Sequence, residues 1–202
     1  MIKLFAAAAT FAAVATLGLA ANASTIYSAP GATGPMATDT SFSDTFSATA
    51  GQANASFVID GYASLDGQNY YEDDFTLSLN GASILTGTFN LGGGGFDVST
   101  GPLGSSAVNV SGNGTAVTWN GGQVNVFTPL SLINGVNTLT FAYHSLSDAN
   151  HAGFQGTGDE AWGIEKVTVA GVPETSTWAM MLIGVGAIGL SLRSQRQQKV
   201  LA

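Results

Sequence analysis

Hydrophobic and polar residues alternate with a period of two through most of the middle of the chain. Phe75, Leu77 and Leu79 alternate with polar residues, and residues 137–145 repeat the pattern. Such alternation is typical of β-strands that have one buried face. The pattern predicts strands near residues 41–49, 55–64, 74–79, 83–90, 115–119, 123–128, 137–145 and 161–169, with a further short strand near 106–110.

Turn-forming dipeptides separate several of these segments. Asn80-Gly81, Asn120-Gly121 and Asn134-Gly135 are dipeptides that tight hairpin turns prefer. No long stretch between Ser24 and Gly171 has helical periodicity. We therefore expect an all-β domain over residues 41–171, arranged as an antiparallel β-sandwich or jelly roll, with a closed up-and-down barrel as the alternative.

Three segments depart from this alternation. Residues 24–40 are rich in Pro, Gly, Ala and Thr, and predict a flexible N-terminal arm, while packing of this arm against the domain is left open. Residues 92–95 and 99–114 are rich in Gly and Ser, and predict a polar loop over one edge of a sheet. Glu165 and Lys166 interrupt the last strand, which predicts a β-bulge there.

The N-terminus has the layout of an export signal. Lys3 precedes an apolar segment, residues 4–19, and Ala21 and Ala23 occupy the two small-residue positions of a signal peptidase site. We expect residues 1–23 to be a signal peptide that the mature chain lacks. An uncleaved N-terminal anchor is the alternative.

A second apolar segment lies near the C-terminus. Residues 177–192 contain no charged residue. As a helix they would measure about 24 Å, against a hydrocarbon core of about 30 Å. Trp178 can sit at one membrane interface and Arg193 at the other, and the basic residues 193–202 favour a cytoplasmic tail with the preceding domain outside. We expect a transmembrane helix over 177–192, because the segment lacks the polar face of the alternative, a buried core helix.

Residues 172–202 resemble the PEP-CTERM sorting signal, in the variant that has Trp-Ala after the Pro-Glu motif. The matching residues are Val172, Pro173, Glu174, Trp178, Ala179, Met180, Met181, Leu182, Gly184, Gly186, Gly189 and Arg193. The usual second proline is Thr175 here. The resemblance implies processing near the Pro-Glu motif, residues 172–176, by an exosortase, an integral-membrane cysteine protease of bacteria that make exopolysaccharide. Pro173 suits such processing, because it disfavours a helix before it and leaves an extended, accessible segment.

Composition narrows the range of partners. The chain contains no cysteine, which excludes disulfides and zinc–thiolate sites. Four of its five Lys and Arg residues lie in the two end segments, so the exported part combines Lys166 with thirteen acidic residues, counting Glu174. Nucleic acid is excluded as a partner, because phosphate binding needs Lys and Arg. The acidic balance favours neutral sugar, protein or divalent cations as ligands, or serves solubility alone.

Two polar stretches are candidate binding sites. In residues 66–74 the candidates are Asp66, Asn69, Tyr70, Tyr71, Glu72, Asp73 and Asp74. Oxygen ligands so dense suit Ca²⁺, which takes six to eight, although the spacing is not that of an EF-hand. In the long loop 145–160 the candidates are Asp148, His151, Asp159 and Glu160. Solvated loops without a ligand are the alternative for both stretches.

Aromatic residues divide into two groups. Tyr70 and Tyr71 lie in a predicted loop, and we expect them to be exposed and able to stack on sugar rings. Alternation places Trp119, Tyr143 and Trp162 on inward faces of strands, where we expect them to fill the core.

Motifs of catalysis are missing from the sequence. It contains no G-x-S-x-G elbow, no H-E-x-x-H and no cysteine nucleophile, so we expect no enzyme. We expect an exported protein that is held briefly at the inner membrane, processed by an exosortase, and placed at the cell surface or in the extracellular matrix with exopolysaccharide, in a structural or adhesive role. The alternative is a carbohydrate- or calcium-binding module, with no cofactor other than Ca²⁺. A glycoside-active enzyme is less favoured, although its two carboxylates need not be close in sequence.

Overall fold

The computed structural model describes residues 23–32, 34–110 and 121–172, together with residues 181–182, 184–186 and 188–189, whose backbone is helical. The predicted signal peptide up to Asn22, the predicted strand 115–119 and most of the predicted sorting signal after Val172 lie outside the described residues. Within the described ranges, no helix is long and apolar enough to span a membrane.

The described part of the chain is all-β. Its strands are β1 (Thr25–Ala29), β2 (Met36–Ala37), β3 (Thr40–Ala48), β4 (Gly51–Ala63), β5 (Asp73–Leu79), β6 (Ala82–Thr88), β7 (Val98–Thr100), β8 (Ser106–Asn109), β9 (Gly122–Leu132), β10 (Gly135–Ser145), β11 (Ser147–Asp148), β12 (His151–Ala152) and β13 (Glu160–Gly171). Most of the strands expected from alternation are therefore present, and several are longer than expected.

The long strands are divided between two antiparallel sheets. In the first sheet the order is β1-β13-β4-β9-β8, and β2 also pairs with β13; in the second it is β3-β10-β5-β6-β7. Strands β11 and β12 form a separate small hairpin. The described strands are thus split between sheets rather than joined in one closed barrel. The pairings β1–β13, β3–β10, β4–β9 and β5–β6 join the first strand to the last and continue inward along the chain.

One hydrophobic core lies between the inner faces of the two sheets. The alternation predicted for β5 is present, since its residues are alternately buried and half-buried from Asp73 to Leu79. Phe57 of the first sheet contacts the second through Phe75 and Phe141, with ring centroids 5.9 and 5.0 Å apart. Each large side chain buried in this way contributes roughly 1.5–3 kcal/mol to stability.

The expectation of a flexible arm over residues 24–40 is wrong. Within it β1 and β2 both pair with β13, and Trp162 Nε1 donates a hydrogen bond to Ala37 O at 2.8 Å. Ile164 N–H donates to Ala32 O at 2.7 Å. The edge of β13 supplies hydrogen-bond partners to the backbone of this segment, so it forms strands although its sequence lacks clear alternation.

Two local predictions about backbone geometry are confirmed. Asn80 and Gly81 have φ angles of 53° and 83°, the left-handed conformation that a tight hairpin turn requires. Lys166 has a φ of 56°, and the pairing of β13 with β4 shifts register between Glu165 and Thr168. This is the bulge expected in the last strand.

The polar insertion expected over 92–95 and 99–114 is partly wrong. Residues 98–100 form a short edge strand, β7, that was not predicted. Residues 106–109 form β8, which confirms the short strand predicted near 106–110. Residues 111–120 lie outside the described residues. The glycine run 92–95 is a loop, as expected, but it packs against another loop instead of lying over an edge.

Candidate functional site

Three loops meet at one end of the two sheets, and we call this region the loop end. It comprises residues 64–72, which follow β4, residues 89–97, which follow β6, and residues 146–159, which follow β10. The first and third loops are joined where Ala152 N–H donates a hydrogen bond to Tyr70 O at 2.9 Å. The two polar stretches singled out in the sequence therefore lie side by side.

Further backbone hydrogen bonds fix the loops against one another. Gly67 N–H donates to Gly94 O at 2.8 Å, which joins the first loop to the glycine run. Ser64 N–H donates to Asp159 O at 2.8 Å, which joins the first loop to the third. Main-chain hydrogen bonds thus hold the three loops of the loop end together, and they fix the positions from which its side chains extend.

A cavity of about 360 Å³ opens between the three loops. Its lining residues are Ser64, Asp66, Asn69, Tyr71, Gly93, Gly94, Gln155 and Asp159. Among the residues predicted from sequence, Asp66, Asn69, Tyr71 and Asp159 are therefore brought together. The lining combines carboxylates, amides and a hydroxyl with one aromatic ring.

Four aromatic side chains on these loops are exposed. They are Tyr70, Tyr71, Phe96 and Phe154. Tyr71, which lines the cavity, is 45% exposed, and its ring packs edge-to-face against Tyr70 with centroids 5.1 Å apart. The exposure predicted for the two tyrosines is confirmed. Exposed aromatic rings beside polar groups suit a ligand with both an apolar face and hydroxyl groups.

Asp66 is the most deeply placed charged group of the cavity. Its Oδ1 accepts a hydrogen bond from Asn69 Nδ2 at 2.8 Å. Gly93 makes room for the carboxylate, because a Cβ there would lie 2.3 Å from Asp66 Oδ2. Burial raises the pKa of Asp66 to about 6; the bond from Asn69 acts in the opposite direction, and the charge of Asp159 adds to the rise.

A second group of acids lies beneath the cavity and is buried. Asp73 Oδ1 is 2.5 Å from Ser145 Oγ, and the same hydroxyl is 3.1 Å from Glu160 Oε2 and 2.6 Å from Thr38 Oγ1. Burial raises the pKa of Asp73 to about 8, although its hydrogen bonds with Ser145 and with the Asp66 backbone lower it. Burial also raises the pKa of Glu160. At neutral pH Asp73 therefore holds a proton, and the network contains fewer charges than carboxyl groups.

The aromatic core lies next to this buried network. Tyr143 and Trp162 are almost fully buried, with ring centroids 5.6 Å apart, so the core positions predicted for them are confirmed. Tyr143 lies beside Phe75, and its buried hydroxyl oxygen has no hydrogen-bond partner among the described residues. Trp119, predicted to share this core, lies outside the described residues.

The remaining predicted site residues form a separate surface group. His151 Nδ1 lies 2.8 Å from Asp148 Oδ1, and its Nε2 lies 3.7 Å from Glu72 Oε2. Asp74 is paired with His144 across β5 and β10. None of these five side chains lines the cavity, so the structure does not join them to Asp66 and Asp159.

The acids of residues 66–74 face different surroundings. Asp66 faces the cavity, Asp73 faces the buried Ser145, and Glu72 faces His151. In the described part of the chain, no group of three or more His, Asp or Glu side chains could hold a metal ion. The acids of residues 66–74, which the sequence offered as a candidate calcium site, therefore do not converge on one point.

Several residues of the site were missed by the sequence prediction. They are Ser64, Gly93, Gly94, Gln155 and, in the buried network, Thr38 and Ser145. Ser145 had a usable signal, since it continues the inward series of Leu139, Phe141 and Tyr143 and is the register partner of Asp73. Gly93 and Gly94 had none, because their place depends on a contact between distant loops.

Of the site residues predicted for the sorting signal, only Val172 lies within the described residues. Val172 is 43% exposed, and its N–H donates a hydrogen bond to Gln52 O at 3.0 Å. Pro173, Glu174, Trp178, Ala179 and Arg193 lie outside the described residues, as does Ala21. No protein-family model and no curated protein matches the chain.

Proposed function

We propose that this chain is an exported bacterial surface or matrix protein whose β-domain binds a glycan at its loop end. The observation that carries the binding site is the cavity of about 360 Å³ with Tyr71 at its rim and polar side chains on its walls. Binding of exopolysaccharide by this site would give the protein an adhesive or structural role.

The strand pairing supports a finer assignment of the domain as a jelly-roll sandwich. Its eight main strands are β1, β3, β4, β5, β6, β9, β10 and β13, and they pair first with last, second with seventh, third with sixth and fourth with fifth. A long antiparallel hairpin wound into two facing sheets has this pairing, which is the arrangement of a jelly roll. Its loops gather at the two ends, and one end holds the cavity.

The chemistry of the cavity supports a sugar ligand. A sugar ring has apolar C–H faces that stack on an aromatic ring and hydroxyl groups that need donors and acceptors. Tyr71 offers the ring, while Asn69, Gln155, Asp66 and Asp159 offer amide and carboxylate groups. The volume lies within the range of about 300–1,000 Å³ that small-molecule sites occupy. The proposal assigns binding, and no catalytic step, to this cavity.

The two ends of the sequence support export and sorting. Residues 1–23 have the features of a signal peptide, and residues 172–202 resemble an exosortase signal with its Pro-Glu motif. The proposed route is export, a membrane-held intermediate with the β-domain outside, processing by an exosortase-type protease, and delivery to the surface. Mass spectrometry of the mature protein should find its first residue near Ser24 and its last near Glu174. A mature chain with both ends intact would contradict the route.

Glycan binding is tested by a matched pair of aromatic variants. We expect full-length protein to bind one or more polysaccharides on a glycan array, and Tyr71→Ala to weaken that binding at least about tenfold, because stacking on an aromatic ring is lost. Phe127, an exposed aromatic residue on β9 outside the cavity, gives the control Phe127→Ala, which should bind normally. Failure to bind any glycan, or equal binding by Tyr71→Ala, would contradict the proposal.

A further inference from the structure

We propose that the loop-end cavity selects sugars that carry a protonated amino group, so that its preferred ligand is a polysaccharide containing free amino sugars. This inference rests on the proposed glycan-binding function and narrows its ligand class. It follows from the charge balance of the cavity, from an unused acceptor on Asp66, and from the absence of nearby cations in the described part of the chain.

The charge of the cavity wall is uncompensated. Asp66 and Asp159 both line it, and no lining residue is basic. In the described part of the chain the one Lys or Arg residue is Lys166, whose Nζ lies 3.5 Å from Glu165 Oε2 on β13, outside the cavity lining. A ligand with a positive charge would gain from this field, whereas a uronic acid polysaccharide would be repelled by it.

The two histidines do not supply that charge. His144 is hydrogen-bonded to Asp39 on the outer face, and His151 lies between Asp148 and Glu72. Neither ring lines the cavity. The acids of the cavity therefore have no cationic partner among the described residues.

Asp66 offers an acceptor that the protein itself does not use. The residue is only 7% exposed, yet it lines the cavity. Its Oδ1 is bonded to Asn69, whereas none of the hydrogen bonds between described residues ends at Oδ2. Gly93 leaves the space beside Oδ2 free of a side chain. In the described part of the chain Oδ2 is not among the buried oxygens that lack a partner, so it is open to the cavity, where an ammonium group of a ligand can donate a charge-assisted hydrogen bond to it.

The neighbouring lining groups fit the rest of an amino sugar. Tyr71 can stack against the ring face, and Asn69 and Gln155 can bond its hydroxyl groups. Ser64 Oγ already donates to Asp159 Oδ1, which holds the second carboxylate in place at the cavity wall. An N-acetylated sugar has no ammonium group, so it cannot satisfy Asp66 Oδ2 with a charge-assisted bond.

Because Asp66 titrates, binding of an amino sugar by the cavity should depend on pH. Burial raises its pKa to about 6, so the ionised fraction falls about tenfold between pH 7 and pH 5. The titratable groups that face it are Asp159 from the third loop, Asp73 from β5, Glu160 from β13 and Tyr71 from its own loop, and all carry negative charge or none. Protonation at low pH therefore weakens binding of an amino sugar. A protonated Asp66 that donated to a neutral sugar would give the opposite dependence.

The experiment compares oligosaccharides of equal length by calorimetry with the full-length protein at physiological salt. The probes are oligomers of glucosamine, of N-acetylglucosamine, of glucose and of a uronic acid. At pH 7 we expect the glucosamine oligomer to bind at least about tenfold more tightly than its N-acetylated counterpart, and no binding of the uronate. At pH 5 the affinity for glucosamine oligomers should fall by at most about tenfold, because Asp66 loses charge while the amino groups of the ligand gain it.

Variants separate a built site from general attraction to an acidic protein. Asp66→Asn should remove the preference for the amino sugar and leave weaker binding of neutral oligomers. Asp159→Asn is a second variant with the same loss of charge, and it should reduce the preference in part. Glu165→Gln loses the same charge outside the cavity and should keep the preference unchanged.

Each outcome bears on a different claim. Equal or tighter binding of the N-acetylated oligomer, a preference that survives in Asp66→Asn, or stronger binding at pH 5 would overturn the inference and leave glycan binding standing. If no oligomer of any class binds, both proposals fail. Calcium chloride alone should not change the melting temperature; a rise that Asp66→Asn abolishes would make the cavity a metal site and overturn the inference.

Discussion

Replacing Asp73 by Asn is expected to stabilise the protein at neutral pH and to reduce the dependence of its stability on pH. Asp73 is fully buried, and its Oδ2 accepts a hydrogen bond from Asp66 N–H at 3.0 Å. An asparagine of the same shape keeps an acceptor for that bond, and its amide can donate to Ser145 Oγ. Ser145 can then donate to Glu160. The substitution therefore removes a charge without leaving a buried polar group unpaired.

The size of the effect follows from the shifted pKa. Burial raises the pKa of Asp73 from 3.8 to about 8, so the folded protein keeps a proton that the unfolded chain releases above about pH 4. Raising the pH from 4 to 8 thus favours the unfolded state, by at most about 1.4 kcal/mol per pH unit for this group. At pH 7 the penalty reaches at most about 4 kcal/mol, and Asp73→Asn removes it.

The assay is urea unfolding of both proteins at several pH values between 5.5 and 8, followed by tryptophan fluorescence. The difference in free energy of unfolding between variant and wild type should grow with pH, by up to about 1.4 kcal/mol per unit. Glu165→Gln, which removes a charge beside the exposed Lys166, should show no such growth. A variant that is less stable than wild type by the same amount at every pH would refute the reasoning, because it would mean that the folded state uses the ionised carboxylate.

Two further predictions concern close contacts. Gly93→Ala places a Cβ 2.3 Å from Asp66 Oδ2, so it should displace the carboxylate. Calorimetry should then show glycan binding weakened at least about tenfold. Gly158→Ala is the control and should bind normally, because a Cβ there meets no atom within 4 Å. Trp162→Phe removes the donor to Ala37 O and some buried volume, so it should lower the free energy of unfolding by about 1–3 kcal/mol; an unchanged value in urea would show that this bond does not anchor the N-terminal segment.

The hydrophobic pattern was sufficient to predict the elements of the fold, because inward positions recur every second residue in each long strand. Phe75, Leu77 and Leu79 illustrate this, since their alternation alone identifies β5 and its buried face. The N-terminal strands were not predicted, since their stability comes from pairing with β13. The order of strands within each sheet was also not predictable, because pairing joins segments that are far apart in the sequence.

The sequence was sufficient to predict which types of residue form the candidate site. It predicted only in part which of these residues lie together in the structure. Asp66 and Asp159 stand in two polar stretches that the sequence identifies, and the structure brings them to one cavity. Asp73 looked like a member of the same exposed group, but it continues the inward series of β5 and is buried against Ser145. The periodicity contained this information, whereas the density of charge only suggested a candidate calcium site or a solvated loop. The contact of Gly93 with Asp66 depends on three-dimensional packing and leaves no local signature.

Hydrogen–deuterium exchange of the full-length protein with and without the best oligosaccharide from the array tests the central claim most directly. The claim is that a glycan occupies the cavity between the three loops. We expect slower exchange of backbone amides in residues 64–72, 89–97 and 146–159, with no change in the strands away from the loop end. Protection that lies elsewhere, or that appears equally in Tyr71→Ala, would contradict the claim.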